Sequence, residues 1–424
     1  MFLFMLLYLV LVLVRPQDYP EYADLGIPLL PITLALAFLC WLPRSDKQLS
    51  APQYLLVPAF LVAQMLSHVF NGWIGGAQVQ LASFGPAVIA FFVLGHLAME
   101  PKRLRKLLVV FVLCSLVLVA HGVEQAELGI GWTGVGLSQE TRIQYVGIFN
   151  DPNDLGLLFV MVLPMALYLS RGGGLMGLRR LFWWGAGAAL VYGIYLTNSR
   201  GAMLALVCVA AVWVWRRRGP VTASLLGAGM IGVLMMLPSR LSELDAGESS
   251  AAGRVDAWYS GLEMFLYNPL FGIGPGLFAD NNANLTAHNS FVLVMAEMGL
   301  VGYTIWLAFV GYGLRMTLAV LRHAAPPEGD AIAITAWKGE RSLALTLLLA
   351  QAGFLAAAFF LSRSYVILLY LLGGLVVGWY TGARTRWDGL PKFELSRDLV
   401  RWPAIAIATI VFLYVLVKIL LVTA

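Results

Sequence analysis

Charge is scarce in this chain: 12% of its 424 residues are Asp, Glu, Lys or Arg, against 60% hydrophobic. So little charge cannot cover a water-soluble surface, and a mean hydropathy of +0.80 describes a chain whose solvent is mostly lipid. Cysteine is rarer still. Cys40, Cys114 and Cys208 all lie in apolar runs, so the odd count requires neither a disulfide framework nor a reactive thiol, and packing roles are expected. The net charge of +5 comes without the interleaving of basic and aromatic residues that nucleic-acid binding would show, so no nucleic-acid partner is expected. Membrane lipids, anionic headgroups above all, are the expected partners of its cations. Met1 to Val14 is apolar but has no basic leader and no small-residue cleavage site, which makes it an expected retained first span.

Apolar runs of about 17 to 25 residues mark transmembrane helices. They fall near 1–15, 26–43, 52–70, 77–99, 105–121, 146–170, 181–197, 201–215, 220–238, 299–321, 342–361 and 365–382, with a further segment at 402–423. The expected fold is therefore all-α and polytopic, with about twelve transmembrane helices and a possible thirteenth. Three regions follow: N-terminal membrane helices over 1–238, a large loop over 239–288, and C-terminal membrane helices over 289–424.

Basic clusters at Lys102, Arg103, Arg105 and Lys106, at Arg171, Arg179 and Arg180, and at Arg216, Arg217 and Arg218 share loops of one parity. That face is expected to be cytoplasmic, with the N-terminus inside and a bacterial inner membrane as the location. Asp18, Glu21, Asp24, Glu124, Glu127 and Glu140 fall on the opposite side. Lysine is missing there. The basic residues assigned to that outer face are Arg15, Arg142, Arg200, Arg240, Arg254 and Arg363, arginine throughout. A phosphate-bearing lipid would account for them, because guanidinium forks match phosphate oxygens bidentately.

From Ser239 to His288 the chain is polar and long for a connection, and loops of that length carry function. Within it Val255, Trp258, Leu262, Phe265 and Leu266 recur at helical spacing, which predicts an amphipathic helix from Arg254 to Tyr267, stopped by Asn268 and Pro269. Gly272 to Gly276 reads as a sharp turn, and no strand precedes it as a dinucleotide fingerprint would need. Asn281, Asn282 and Asn284 form a polar tip suited to sugars or simply to a turn. Thr286 is the expected N-cap of a helix from Ser290 to Met298, which would place His288 in its first turn, where the helix dipole keeps an imidazole neutral. His288 alone among the five histidines combines the outer face with a polar loop. His121 is its one competitor.

Several segments, taken together, resemble the O-antigen ligase superfamily, which also holds O-antigen polymerases and protein O-oligosaccharyltransferases. They are Gly147 to Asn153 (GIFNDPN), Asn198 to Gly201 (NSRG), Arg254 to Trp258 (RVDAW), Asn268 to Gly276 (NPLFGIGPG), His288-Asn289 and Gly299 to Gly302 (GLVG). The resemblance covers roughly residues 140–305. It implies a glycosyltransferase that works on a polyprenyl-linked glycan, with Arg200 and Arg254 gripping the donor diphosphate and His288 activating the acceptor.

Transfer from a lipid diphosphate to a hydroxyl requires deprotonating a weak nucleophile and stabilising a departing dianion, and a neutral histidine with two guanidinium groups suits both tasks. Arg142, Arg363, Asn153, Asn289 and Asp256 are secondary candidates. Asp18, Glu21 and Asp24 would be the ligands if a divalent cation took part, but the arginines already supply positive charge, so no metal and no cofactor is expected. The expected donor is an undecaprenyl diphosphate-linked glycan and the expected acceptor a lipid A core oligosaccharide, at an active site on the periplasmic face. A polymerase and a protein O-oligosaccharyltransferase are the alternatives within the enzyme class. A transporter or flippase is the alternative outside it, supported only by Glu297 in an apolar stretch.

Overall fold

The computed structural model describes residues 1–23, 26–171, 177–236, 251–324 and 330–423. Among these, regular structure is helical apart from isolated bridges pairing Ile130 with Gly136 and Ser138 with Arg142. The helices are α1 (Phe2–Leu13), α2 (Pro20–Ala23), α3 (Leu29–Trp41), α4 (Gln53–Phe70), α5 (Ile74–Leu97), α6 (Pro101–Leu128), α7 (Pro152–Leu169), α8 (Leu178–Leu196), α9 (Arg200–Arg218), α10 (Pro220–Met236), α11 (Ala251–Tyr267), α12 (Ser290–Arg322), α13 (Ala331–Ala358), α14 (Ile367–Arg386) and α15 (Arg401–Thr423).

Eight of the described helices, α4 to α7 and α12 to α15, are long and apolar enough to cross a membrane, and α1, α3 and α10 are shorter apolar helices. The chain is a polytopic, all-helical membrane protein. In α9 the arginines at both helix ends dilute an otherwise apolar run. The segment expected to span from 105 to 121 continues as helix to Leu128. Asp24, Arg240, Ser239 and the boundary between 238 and 239 lie outside the described residues, so only 251–288 of the expected large loop can be followed.

α7 and α14 are the most enclosed of the long helices, and α15 the least. Lipid tails are as apolar as Leu, so helices in a membrane associate mainly by close packing, which small residues favour. Gly374, Gly378 and Gly382 recur every four residues along α14. A Cβ on the first would stand 3.2 Å from the Phe91 carbonyl, and those on the others would collide with the carbonyls of Gly95 and Met99. α14 therefore rests backbone to backbone on α5. α15 lies along α12: Trp402 packs on Gly311 and Tyr312 near one end, and Lys418 sits 4.8 Å from the Tyr259 ring of α11 at the other. Of the cysteines, Cys114 is buried and Cys208 half-buried as packing residues would be, whereas Cys40 faces outward from α3.

α12 joins what the sequence suggests as two helices, 290–298 and 299–321, across a break at Gly299 (φ 59°, ψ −163°). The break leaves the amides of Leu300 and Val301 and the carbonyls of Ala296 and Glu297 without their helical partners. The loop after α11 takes up all four. Leu300 N donates to Pro269 O (2.8 Å) and Val301 N to Leu270 O (3.2 Å), while Ile273 N donates to Ala296 O (3.1 Å) and Gly274 N to Glu297 O (3.0 Å). The two backbones touch where Gly272 faces Glu297 and where Gly299 faces Leu270, at 2.5 Å from where a Cβ would stand. Both glycines have positive φ, so an L side chain would be strained as well as obstructed.

Replacing Gly299 with Ala is therefore expected to cost about 3 kcal/mol or prevent folding. Gly229→Ala in α10, where a Cβ meets nothing within 4 Å, should leave stability unchanged or raised. Thermal unfolding of the purified variants in detergent measures both.

Candidate active site

The site gathers where the N-termini of α7, α9 and α12 meet the turn between α13 and α14. Asp151 caps α7, accepting from Asn153 N (2.8 Å) and Nδ2 (2.9 Å). Ser199 caps α9, accepting from Ala202 N at 3.2 Å. Gly156 permits the two helix starts to lie side by side, since a Cβ there would come within 2.6 Å of Ala202 Cβ. Across this junction Asn153 Oδ1 accepts from Ser199 Oγ (2.7 Å) and from Arg142 Nη2 (2.9 Å), and Arg142 Nε donates to Thr197 O (3.1 Å). The Asn-Ser-Arg-Gly turn is thus held in place from three sides. Arg200, half-buried, is the first residue of α9. Its backbone stands at the N-terminal end of the helix, where the dipole favours an anion.

Arg363 joins the α13–α14 turn to α7. Its guanidinium forms a bidentate pair with Asp154, with Nη2 at 2.7 Å from Oδ2, and lies 3.6 Å from Asp151 Oδ2. These carboxylates hold the Arg363 pKa above its usual value against the effect of burial. The same turn is fastened to α12: Arg363 N donates to Ser290 Oγ (2.8 Å), Ser290 Oγ to Leu361 O (2.6 Å) and Ser364 Oγ to Ser290 O (2.9 Å). Sequence reading missed the pairing of Arg363 with Asp151 and Asp154. A pair 209 residues apart in sequence leaves no local periodic signal.

His288 is placed differently from the expectation. The N-cap of α12 is Asn289, whose Oδ1 accepts from Phe291 N (2.9 Å) and Val292 N (3.2 Å). Thr286 instead donates to Ser362 Oγ (2.7 Å), and His288 stands before the helix in the left-handed region (φ 48°). From position 289 the Asx side chain reaches the second and third amides of the helix, while Thr286 is held by Ser362. α11 fixes the approach, with Trp258 Nε1 donating to Ala287 O at 3.0 Å. The His288 pKa is lowered mainly by burial, then by the positive charge of Arg254, with Arg363 acting the same way and Asp151 opposing them. The ring is therefore neutral at neutral pH, and burial rather than the helix dipole is the leading cause.

The structure thus brings His288, Arg254, Arg200, Arg142, Asn153 and Arg363 to one end of the bundle. Arg254 is exposed on α11 and close enough to act on His288 electrostatically, with Asp256 also exposed on that helix. His121, by contrast, is fully buried with Nε2 2.8 Å from Thr133 Oγ1 and its ring edge-on to Trp132 and Tyr145. The asparagine tip is a turn: Asn281 Nδ2 donates to Leu277 O (2.8 Å) and Asn282 Nδ2 to Leu285 O (3.0 Å). Glu297 receives Phe278 N at Oε1 (3.1 Å) and so braces the glycine turn. Of the acids in the first loop, Asp18 pairs with Arg15 at 2.5 Å, Glu21 is exposed, and Asp24 lies outside the described residues.

An apolar cavity of about 520 Å³ opens nearby between α1, α3 and α5, lined by Tyr8, Leu34, Leu81 and Gly85, with Arg15 and Ile148 on its wall. Arg15 packs directly against Gly147, in the segment that leads into Asp151.

Residues 185–307 match the family model described as O-antigen ligase. That stretch, less than half of the chain, supports the resemblance to the O-antigen ligase superfamily. No curated protein matches it. Members of this superfamily are ligases and polymerases of the glycosyltransferase kind, acting on lipid-linked glycans in O-antigen processing. The matched stretch holds Arg200, Arg254, His288 and the glycine brace of α12, whereas Arg142, Asn153, Asp154 and Arg363 lie outside it.

Arg363→Ala would leave Asp154 buried without its cation, and a loss of about 3 kcal/mol is expected. The double variant Arg363→Ala with Asp154→Ala should recover most of it, as read by thermal unfolding.

Proposed function

We propose that the protein is a lipopolysaccharide O-antigen ligase, transferring a preassembled glycan from undecaprenyl diphosphate to a lipid A core sugar at the periplasmic face of the inner membrane. The observation that carries the reading is a neutral, half-buried His288 within electrostatic reach of Arg254, Arg363 and Asp151, at the end of the bundle where α9 begins with Arg200.

His288 takes the proton from the acceptor hydroxyl as that oxygen attacks the anomeric carbon. The bond from that carbon to the diphosphate oxygen breaks, and undecaprenyl diphosphate departs with the electron pair. Direct attack inverts the anomeric centre. Arg200 and Arg254 stabilise the charge gathering on the diphosphate, in a setting less polar than water where such contacts count for more. Arg142, Asn153 and Arg363 are positioning residues, holding the starts of α7 and α9 under the donor. Asn289 positions His288 through the cap of α12. Residues 239–288 form the acceptor platform, and the cavity beside Arg15 houses the start of the polyprenyl chain. The reaction is written without a metal.

Purified protein with the lipid-linked glycan and lipid A core in EDTA should lengthen the lipopolysaccharide. Growth of the lipid-linked glycan itself would instead identify a polymerase, and glycan appearing on an added protein an O-oligosaccharyltransferase. No transfer even with Mg²⁺ or Mn²⁺ would favour a transporter. His288→Gln should lower the rate by about 10²- to 10⁴-fold with donor binding kept.

A base must be unprotonated, so the rate is full above the folded pKa of His288 and falls as pH drops through it, a midpoint below the usual value of about 6.5. Arg254→Ala removes a charge that depresses this pKa and should move the acid limb to higher pH, besides weakening donor binding.

Gly85→Trp, filling the apolar cavity, should raise KM for a full-length polyprenyl donor and spare one with a short chain.

A further inference from the structure

At the end of the bundle opposite this site, cations from three segments face one cavity of about 290 Å³. They are Arg105 near the start of α6, Arg171 just beyond α7 and Lys338 in α13, with Tyr168 and Ser342 completing the polar wall. Asp154 lies at the other end of α7, and α13 runs from Lys338 up to the turn that carries Arg363.

Arg171 donates to Ser342 Oγ. Its guanidinium is held below its usual pKa range by partial burial and then by the neighbouring Arg217. Among the described residues no carboxylate pairs with Arg105, Arg171 or Lys338. The one acid of α13, Glu340, is already taken by Arg386 Nη2 (2.7 Å) and Nε (3.0 Å) and by Trp379 Nε1 (2.8 Å). Other basic residues at this end rest on aromatic rings, as Arg217 does on Trp213 (4.7 Å) and Arg180 on Trp184 (5.3 Å). Three like charges around one hollow, each exposed to solvent, repel one another, and an anion there relieves the repulsion.

The geometry points to a site for a phosphate group, and we propose that it is filled by the headgroup of an anionic phospholipid. Basic pockets between membrane helices favour such headgroups, and Leu167, exposed at the same end of α7, suits acyl chains. The headgroup would tie the ends of α6, α7 and α13 together. This site is separate from the proposed transfer reaction and does not depend on it.

The test uses the full-length purified protein in detergent, comparing phosphatidylglycerol, phosphatidylcholine and inorganic phosphate by thermal stability and by lipid retained in native mass spectrometry. Phosphatidylglycerol should raise the melting temperature and be retained over phosphatidylcholine. Arg105→Gln and Lys338→Gln should each weaken its binding about fivefold, and the double variant about twenty-five-fold. Arg216→Gln with Arg218→Gln, on the same face but outside the cavity, should leave it unchanged. Stabilisation by inorganic phosphate alone that is lost in the double variant would keep the site and make a soluble phosphate its occupant. Equal retention of phosphatidylglycerol by wild type and double variant, or equal losses in the Arg216/Arg218 control, would overturn the proposal.

Discussion

A hydrocarbon solvent offers no hydrogen bonds, so a membrane helix breaks only where other protein groups accept what it releases. α12 breaks at Gly299, and the exchange of four backbone bonds with Pro269, Leu270, Ile273 and Gly274 makes the break tolerable. Much else follows from it. The loop after α11 is drawn along α12, where Ser67 Oγ and Asn71 Nδ2 of the α4 end also bond it, at 2.5 Å to Phe271 O and 2.8 Å to Gly272 O. α11 is thereby laid against the start of α12, so that Trp258 reaches Ala287 O and Arg254 comes near His288.

The charges at the site divide the labour. Asp151 and Asp154 are both engaged by Arg363, so these two acids at the candidate site hold helices together. The histidine is kept neutral chiefly by burial, with its arginine neighbours adding to the effect. That combination favours proton acceptance by a ring standing among cations, where an imidazolium would be least welcome.

Much of this was legible in the sequence because lipid imposes simple rules. Apolar runs located most of the helices, the 3.6-residue period of Val255, Trp258 and Leu262 located α11, and the absence of lysine from the loops assigned to one face singled out the arginines, although Lys418 of α15 reaches that side against Tyr259. The rest depended on contacts between distant segments. Nothing local told that Asn289 rather than Thr286 would cap α12, since both residue types cap helices and the choice was made when Thr286 found Ser362. Gly272 to Gly276 read only as a sharp turn because its partners in α12 lie beyond the histidine. Arg363 remained a minor candidate until folding brought it to Asp154.

The break at Gly299 also divides α12 mechanically. The longer segment after it lies among the membrane helices and must accommodate changes in bilayer thickness by tilting. The short segment, Ser290 to Met298, is fastened to α11, to the 361–364 turn and to the glycine loop. His288 precedes that short segment, so its position is set by those three fastenings.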